Sequence, residues 1–335
     1  MDPLTHGLVG AALGGLVAPR AQIKAGLSAG FVSAMLADLD VLLSRADDPL
    51  FQLELHRQFS HALTFTPIGA AMALALLWTW LRRSMTLPRA YLVCSAAYAS
   101  AGPLDACTSY GTQLLWPFSS GRYAFNLVAV VDPVITIGLV LALLVAWRSR
   151  RRLACTLALL WLAFWLGYGA VQQARVLQVV LELQRSRGHQ AVRTVLKPTL
   201  GNQILWRATY RTDKTVFTDG VRVGPFSQPQ LFPGTSAPLV LVEQEARALQ
   251  GTQVYRDLQR FARLSEDFLV AHPSQPHVLG DARYAMLPTS LSPLWGVRYD
   301  PKRLEAGVTF ETFRDSGSQV RQELWKMLRS RPTDS

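Results

Sequence analysis

Two histidines, His56 and His61, stand where a polar loop enters an apolar run from Ala62 to Leu81. Further ionisable residues border the neighbouring apolar runs: His6, Asp38, Asp40, Asp105 and Asp132. Imidazole and carboxylate together make a ligand set for zinc, manganese or iron. The plainer reading is a set of interfacial polar groups bonded to backbone or lipid headgroups. Ionisable groups at membrane depth are costly, which favours a use for them.

The spacing constrains how these groups meet. On a helix His56 and His61 would lie about 140° apart. They still converge if His56 is in the loop and Ser60 caps a helix that His61 opens. Asp38 and Asp40 point apart on a regular helix, so either the helix unwinds there or one carboxylate alone faces the site. Such a pair supplies two oxygen ligands, or one ligand and one general base; its other reading is capping at the end of a span. Asp105 lies where Pro103 to Thr112 breaks out of an apolar run, with Thr108, Ser109 and Tyr110 placed to orient a substrate. Asp132-Pro133 reads equally as a helix entry. His6 has the weakest individual case, and His189, His272 and His277 read as surface residues.

The elements that position these groups follow from composition. Half of the 335 residues are apolar and only 17% are charged, which with a positive mean hydropathy places residues 1–171 in a membrane and leaves 190–335 as ordinary soluble sequence. Of the net charge of +11, much lies in short clusters beside apolar runs, so no nucleic-acid partner is expected. Cys94, Cys107 and Cys155 read as small buried hydrophobes. Met1-Asp2-Pro3 lacks a basic n-region, so no cleavable signal peptide is expected.

Apolar segments at 7–18, 25–43, 62–81, 90–107, 124–147 and 153–171 predict six spans, the first short or re-entrant. Arg20 and Lys24, then Arg82, Arg83 and Arg89, then Arg148, Arg150, Arg151 and Arg152 mark the inner loops. The N-terminus and the chain after residue 171 then lie outside, and Asp38, Asp40, His56, His61, Asp105 and Asp132 fall toward one outer face. Residues 172–189 read as a helical linker extending the last span. In 190–335, alternation over Ile204–Arg211 and Thr215–Thr218 around Thr212-Asp213-Lys214 predicts a hairpin, 242–269 a helix pair around Gly251, 282–299 strands and 317–329 a terminal helix. The fold class expected is a mainly α polytopic membrane domain followed by a small extracytoplasmic α+β domain.

Four motifs occur in order: Met1-Asp2-Pro3-Leu4-Thr5-His6-Gly7, Ala37-Asp38-Leu39-Asp40, His56-Arg57-x-x-Ser60-His61 and Leu104-Asp105-x-x-Thr108-Ser109-Tyr110-Gly111-Thr112. With Gln113 to Ser119 and Asp132-Pro133, they make residues 1–170 resemble the YdjM-type inner-membrane family, described as membrane-bound metal-dependent hydrolases. The resemblance implies a bacterial inner-membrane location and His6, Asp38, Asp40, His56, His61 and Asp105 as metal-site positions, with Asp40 and Asp105 carrying catalysis. The chain departs from that pattern at Ala101, where members usually carry histidine. The expectation is a hydrolase of an ester or phosphoester, using a divalent ion, zinc before manganese or iron. Membrane lipids are its expected partners and a lipid or lipid-linked molecule its substrate. The alternative is a catalytically silent membrane protein with a structural or partner-binding role. Charge confined to one face argues against a transporter.

Overall fold

Proline and aspartate set the helix starts. In the computed structural model, which describes residues 1–314 and 317–330, α1 (Pro3–Val17) opens on Asp2, whose side chain accepts from the Thr5 amide at 3.0 Å. Proline cannot donate to a preceding turn but is tolerated in the first one, and α1 and the helices that start at Thr66, Leu87 and Pro133 each carry one there. The chain divides into two compact units: Met1–Ser44, Glu54–Val171 and Leu200–Asn202 form the first, Arg45–Leu53, Gln172–Thr199 and Gln203–Ser335 the second.

In the first unit α1 returns against α2 (Ile23–Met35). Glycines make the close approach: a Cβ on Gly14 would sit 2.2 Å from the Gly26 carbonyl oxygen, and one on Gly10 2.4 Å from that of Gly30. Small residues that let helix backbones touch are the usual glue where lipid removes the hydrophobic drive. Past α2 the chain tightens into a 3-10 segment, Leu36–Leu42. Then come α3 (Phe51–Leu55), short 3-10 turns at Phe59–His61 and Leu63–Phe65, α4 (Thr66–Leu81), α5 (Leu87–Tyr98), α6 (Ala101–Ala106), α7 (Pro133–Ser149) and α8 (Arg152–Ser186). Leu8, Val9, Ile23, Leu27, Ile135 and Leu139 lie in its largest apolar core.

Several expected boundaries move. The run at 90–107 is two helices, because Pro103 has no amide to continue the ladder through Ala99 and Ser100. Residues 124–132 are not helical, and α7 starts only at Pro133. His61 does not open a helix with Ser60 as cap; both lie in the Phe59–His61 turn. Arg20–Leu42, Leu63–Leu81 and Arg152–Ser186 are long and apolar enough to cross a membrane, whereas α1 and α7 are apolar but shorter. Helix length therefore supports three of the six expected spans.

The second unit carries two antiparallel sheets. The first contains β1 (Arg193–Pro198), β2 (Leu205–Arg211), β3 (Thr215–Arg222), β4 (Gln230–Phe232) and β5 (Ser236–Pro238), with the expected hairpin pairing Tyr210 to Phe217. The second contains β6 (Leu269–Ala271), β7 (Val278–Asp281), β8 (Trp295–Tyr299) and β9 (Val308–Thr312). The expected helix pair is a four-residue α9 (Val242–Glu245) and an amphipathic α10 (Gln253–Leu264), and α11 is Ser318–Arg329. Of the strands expected at 282–299 only β8 forms. The segment expected as a linker is the end of α8, where Val176 and Val180 pack with Trp206 and Tyr210. Residues 331–335 of the expected domain lie outside the described residues.

Candidate metal centre

Five separate pieces of the first unit deliver the polar side chains. Helix α1 carries His6, the 3-10 segment Asp38 and Asp40, the following loop His56 and Arg57, the Phe59–His61 turn Ser60 and His61, and α6 Asp105. His6, Asp38, His61 and Asp105 each offer one ligand atom, and these atoms lie within 4.8 Å of one another. His6 Nε2 is 3.0 Å from Asp105 Oδ1, and His61 Nε2 is 3.1 Å from Asp105 Oδ2 and 3.4 Å from Asp38 Oδ1. All four side chains are buried.

Hydrogen bonding fixes one proton of His61. The Ser60 hydroxyl donates its one proton to Asp40 Oδ2 at 2.6 Å, and His61 Nδ1 lies 2.9 Å from the same hydroxyl. Ser60 can then only accept from His61, so Nδ1 carries a proton and Nε2 is the ring nitrogen turned toward the two carboxylates. Neither His61 Nε2 nor Asp105 Oδ2 makes a well-formed hydrogen bond to the other, and Asp38 Oδ2 is also buried without a hydrogen-bond partner among the described residues. Between Nε2 and two buried carboxylates a positive charge is needed, supplied by a proton on the ring or by a metal cation.

The expected site residues divide. Asp40, expected as a ligand and base, has both oxygens engaged: Oδ1 accepts from His56 Nδ1 at 2.9 Å, and Oδ2 accepts from the Arg57 amide at 3.0 Å as well as from Ser60. It faces the loop and orders it. His56 stands beside the four-residue cluster, half-buried, with its ring 6.1 Å from that of His61 and 5.5 Å from Tyr110. Asp132 takes no part. It caps α7 by accepting from the amides of Val134 and Ile135, and it receives the Trp165 indole at 2.9 Å.

Sequence reasoning missed Arg57, the one guanidinium bonded to the cluster among the described residues. Its Nε lies 2.8 Å from Asp105 Oδ2 and its Nη1 donates to Thr108 Oγ1 at 2.9 Å. Arg57 has a φ of 61°, a left-handed conformation uncommon for a residue with a side chain, which aims its amide at Asp40. The signal was present, since Arg57 is inside the His56-x-x-x-x-His61 stretch. The Met1 amine also lies against Asp105 Oδ1. The nitrogen and oxygen donors of His6, Asp38, His61 and Asp105 suit a divalent ion.

Backbone packing holds the turn in place. Gly102 approaches it so closely that a Cβ there would meet the His61 carbonyl oxygen at 2.1 Å, and the Tyr98 hydroxyl donates to the Ser60 carbonyl at 2.9 Å. Ala101, the position of the departure, is buried among Ala37 and Tyr98.

A family model described as YdjM inner membrane protein matches residues 1–176, a stretch that includes every residue of the cluster. No curated protein and no solved structure matches the chain.

Proposed function

The chain belongs to the YdjM inner membrane protein family, and on that premise we propose that it is a metal-dependent hydrolase of an ester or phosphoester, acting on a lipid or lipid-linked molecule. The observation that carries this reading is the convergence of His6, Asp38, His61 and Asp105, whose ligand atoms lie within 4.8 Å of one another. His6, Asp38, His61 and Asp105 would hold the ion, with zinc preferred because imidazole and carboxylate suit it at low coordination number. When bound, the ion supplies Lewis acidity and a hydrolytic nucleophile at neutral pH.

The protein's own groups then divide the remaining work. Asp40 fixes the ring of His56 directly and that of His61 through Ser60, as carboxylates behind metal-site histidines commonly do. His56, oriented by Asp40 and half-buried, is placed to take or return a proton as general base and acid. Arg57 holds Asp105 and adds fixed positive charge where an anionic oxygen develops. The multi-pass arrangement, the site at the outer face and an extracytoplasmic second unit belong to the same proposal, supported by the basic turns after α1, α4 and α7. The test is elemental analysis of detergent-purified protein followed by turnover on a panel of lipid esters and phosphoesters. Stoichiometric divalent metal and hydrolysis, both lost in His61→Ala, are expected; metal-replete protein inactive on the whole panel would overturn the reading.

A second reading is a silent member with a structural role. It is favoured by Ala101 in the position the family usually gives to histidine, and by Arg57 and the Met1 amine already bound to Asp105. A metal-free wild-type protein, even after incubation with divalent ions, would select it.

A further inference from the structure

The helices that carry the cluster at one end carry a second polar feature at the other. The start of α2 and the turns after α4 and α7 bring Lys24, Arg83 and Arg150 to one cavity of about 390 Å³, which Gln22, Trp80 and Ser84 also line. No acidic residue lines it. Among the described residues, none of the three cationic side chains has an ion-pair partner, and the buried Gln22 Oε1 has no hydrogen-bond donor. Scattered basic residues at a membrane face need no further account than orientation. Three from separate segments lining one cavity, with no carboxylate, do.

A second cavity, of about 370 Å³, continues along the same two helices and is apolar. On α2 its wall is Leu27, Ser28, Phe31 and Val32, the helical stripe that begins with Lys24. On α7 it is Val140, Leu143, Leu144 and Trp147, the stripe that ends with Arg150. Residues three and four apart share a helix face, so each wall changes from cationic to apolar along one line. Lys24 joins the two cavities, since its ammonium lies 5.0 Å from the centre of the Trp147 ring. From Lys24 to Val32 the groove is roughly 12 Å long at the helical rise.

We propose that this is a binding site for an anionic phospholipid with a hydroxylated headgroup. The phosphate sits among Lys24, Arg83 and Arg150, a headgroup hydroxyl donates to Gln22 Oε1, and an acyl chain lies in the groove between α2 and α7. Charge complementarity selects the anion, and the adjoining apolar groove selects a lipid over free phosphate. Basic pockets between spanning helices bind lipid headgroups by the same chemistry. The site lies at the opposite end of the helices from the histidine–aspartate cluster and does not depend on that cluster holding metal.

The experiment is native mass spectrometry of the delipidated full-length chain titrated with phosphatidylglycerol or phosphatidylethanolamine. Phosphatidylglycerol is expected to bind at one site with clear preference. Arg83→Ala and Arg150→Gln, at exposed turn positions where folding is least at risk, should each weaken it about fivefold, the equivalent of about 1 kcal/mol per charge. Arg82→Ala and Arg89→Ala, outside the cavity, should leave it unchanged. Ser28→Phe, which fills the groove, should weaken the lipid but not glycerol 3-phosphate. Equal loss in the Arg82→Ala and Arg89→Ala controls would show general attraction to the basic face and overturn the site. Equal retention of phosphatidylethanolamine would overturn the anion, and displacement of the lipid by millimolar inorganic phosphate would overturn the lipid.

Discussion

His61 Nε2 and Asp105 Oδ2 lie 3.1 Å apart, both buried, without a well-formed hydrogen bond. A proton on Nε2 joins the two in the absence of metal, and a metal ion held by His6, Asp38, His61 and Asp105 would take its place. His61→Ala is therefore expected to reduce bound divalent metal to background while preserving the fold. Chelation should lower the melting temperature of the wild type and leave the variant unmoved. At ion concentrations near 100 times Kd the wild-type difference is about 2.7 kcal/mol. Equal sensitivity of both proteins to chelator would show that the ion binds elsewhere.

Asp40 gives a graded expectation. Its oxygens hold His56, the Arg57 amide and Ser60, so Asp40→Asn should weaken metal binding by roughly 10–100-fold through misorientation of His61. His56→Ala, which removes only one of those bonds, should leave metal content near wild type and lower turnover instead. Metal titrations of the two purified variants separate the roles; a larger metal loss in His56→Ala would make His56 a ligand.

Polar residues that interrupt apolar runs stand out in a sequence, which is why His6, Asp38, His61 and Asp105 were legible as a group before their distances were known. Arg57 was not, because a loop arginine has no periodic partner and Asp105 reaches it only through the fold. Asp40 shows the opposite limit. Its residue type and neighbourhood resemble those of a ligand, and only the three donors on its oxygens reveal that it faces the loop. Helix breaks were legible in principle from Pro103 and Pro133, but average hydropathy runs across a proline that hydrogen bonding cannot. In the second unit the Tyr210–Phe217 hairpin followed from alternation, whereas residues 282–294, which carry Pro288 and Pro293, precede the one strand formed there, β8.

Gly102 tests the backbone support of the turn. A methyl group there would stand 2.1 Å from the His61 carbonyl oxygen, and a carbonyl in a buried turn has little room to retreat. Gly102→Ala should cost about 1–3 kcal/mol and displace His61, so that metal content falls although no ligand has been changed. Its neighbour Ala101 is buried among Ala37 and Tyr98, and Ala101→His is expected to destabilise by a similar ~1–3 kcal/mol through overpacking. Thermal unfolding with and without added divalent ion reads both effects; wild-type metal binding in Gly102→Ala would show that the turn is not held by this contact.

Arg57 and a bound cation compensate the same carboxylate. Arg57→Ala leaves Asp105 short of one partner in a buried setting, where breaking an ion pair typically costs about 3–5 kcal/mol. Because a divalent ion restores positive charge beside Asp105, part of that loss should return on adding zinc or manganese. The wild type, already compensated by the 2.8 Å contact from Arg57 Nε, should gain less. A loss of stability that is the same with and without ion would mean that Arg57 acts on the loop alone.

Lys197, in the second unit, gives a prediction independent of the site. Its ammonium is buried, has no hydrogen-bond partner among the described residues and lies 3.3 Å from the centre of the Tyr284 ring. Burial, and then the nearby Arg283, push its pKa well below the usual lysine value; Arg207 adds to the lowering, and Asp281 and Glu266 oppose it. An unfolded lysine titrates near ~10.4. Between the depressed folded pKa and that value the unfolded chain holds the extra proton, so stability rises with pH across this window and the penalty disappears above it. Lys197→Met removes the buried amine whose charged form the fold disfavours. Its melting temperature should exceed that of the wild type at pH 7, and the two should converge as the pH approaches 10. Parallel pH profiles for the two proteins would show that the Tyr284 ring face compensates the charge in full and that Lys197 stays protonated in the fold.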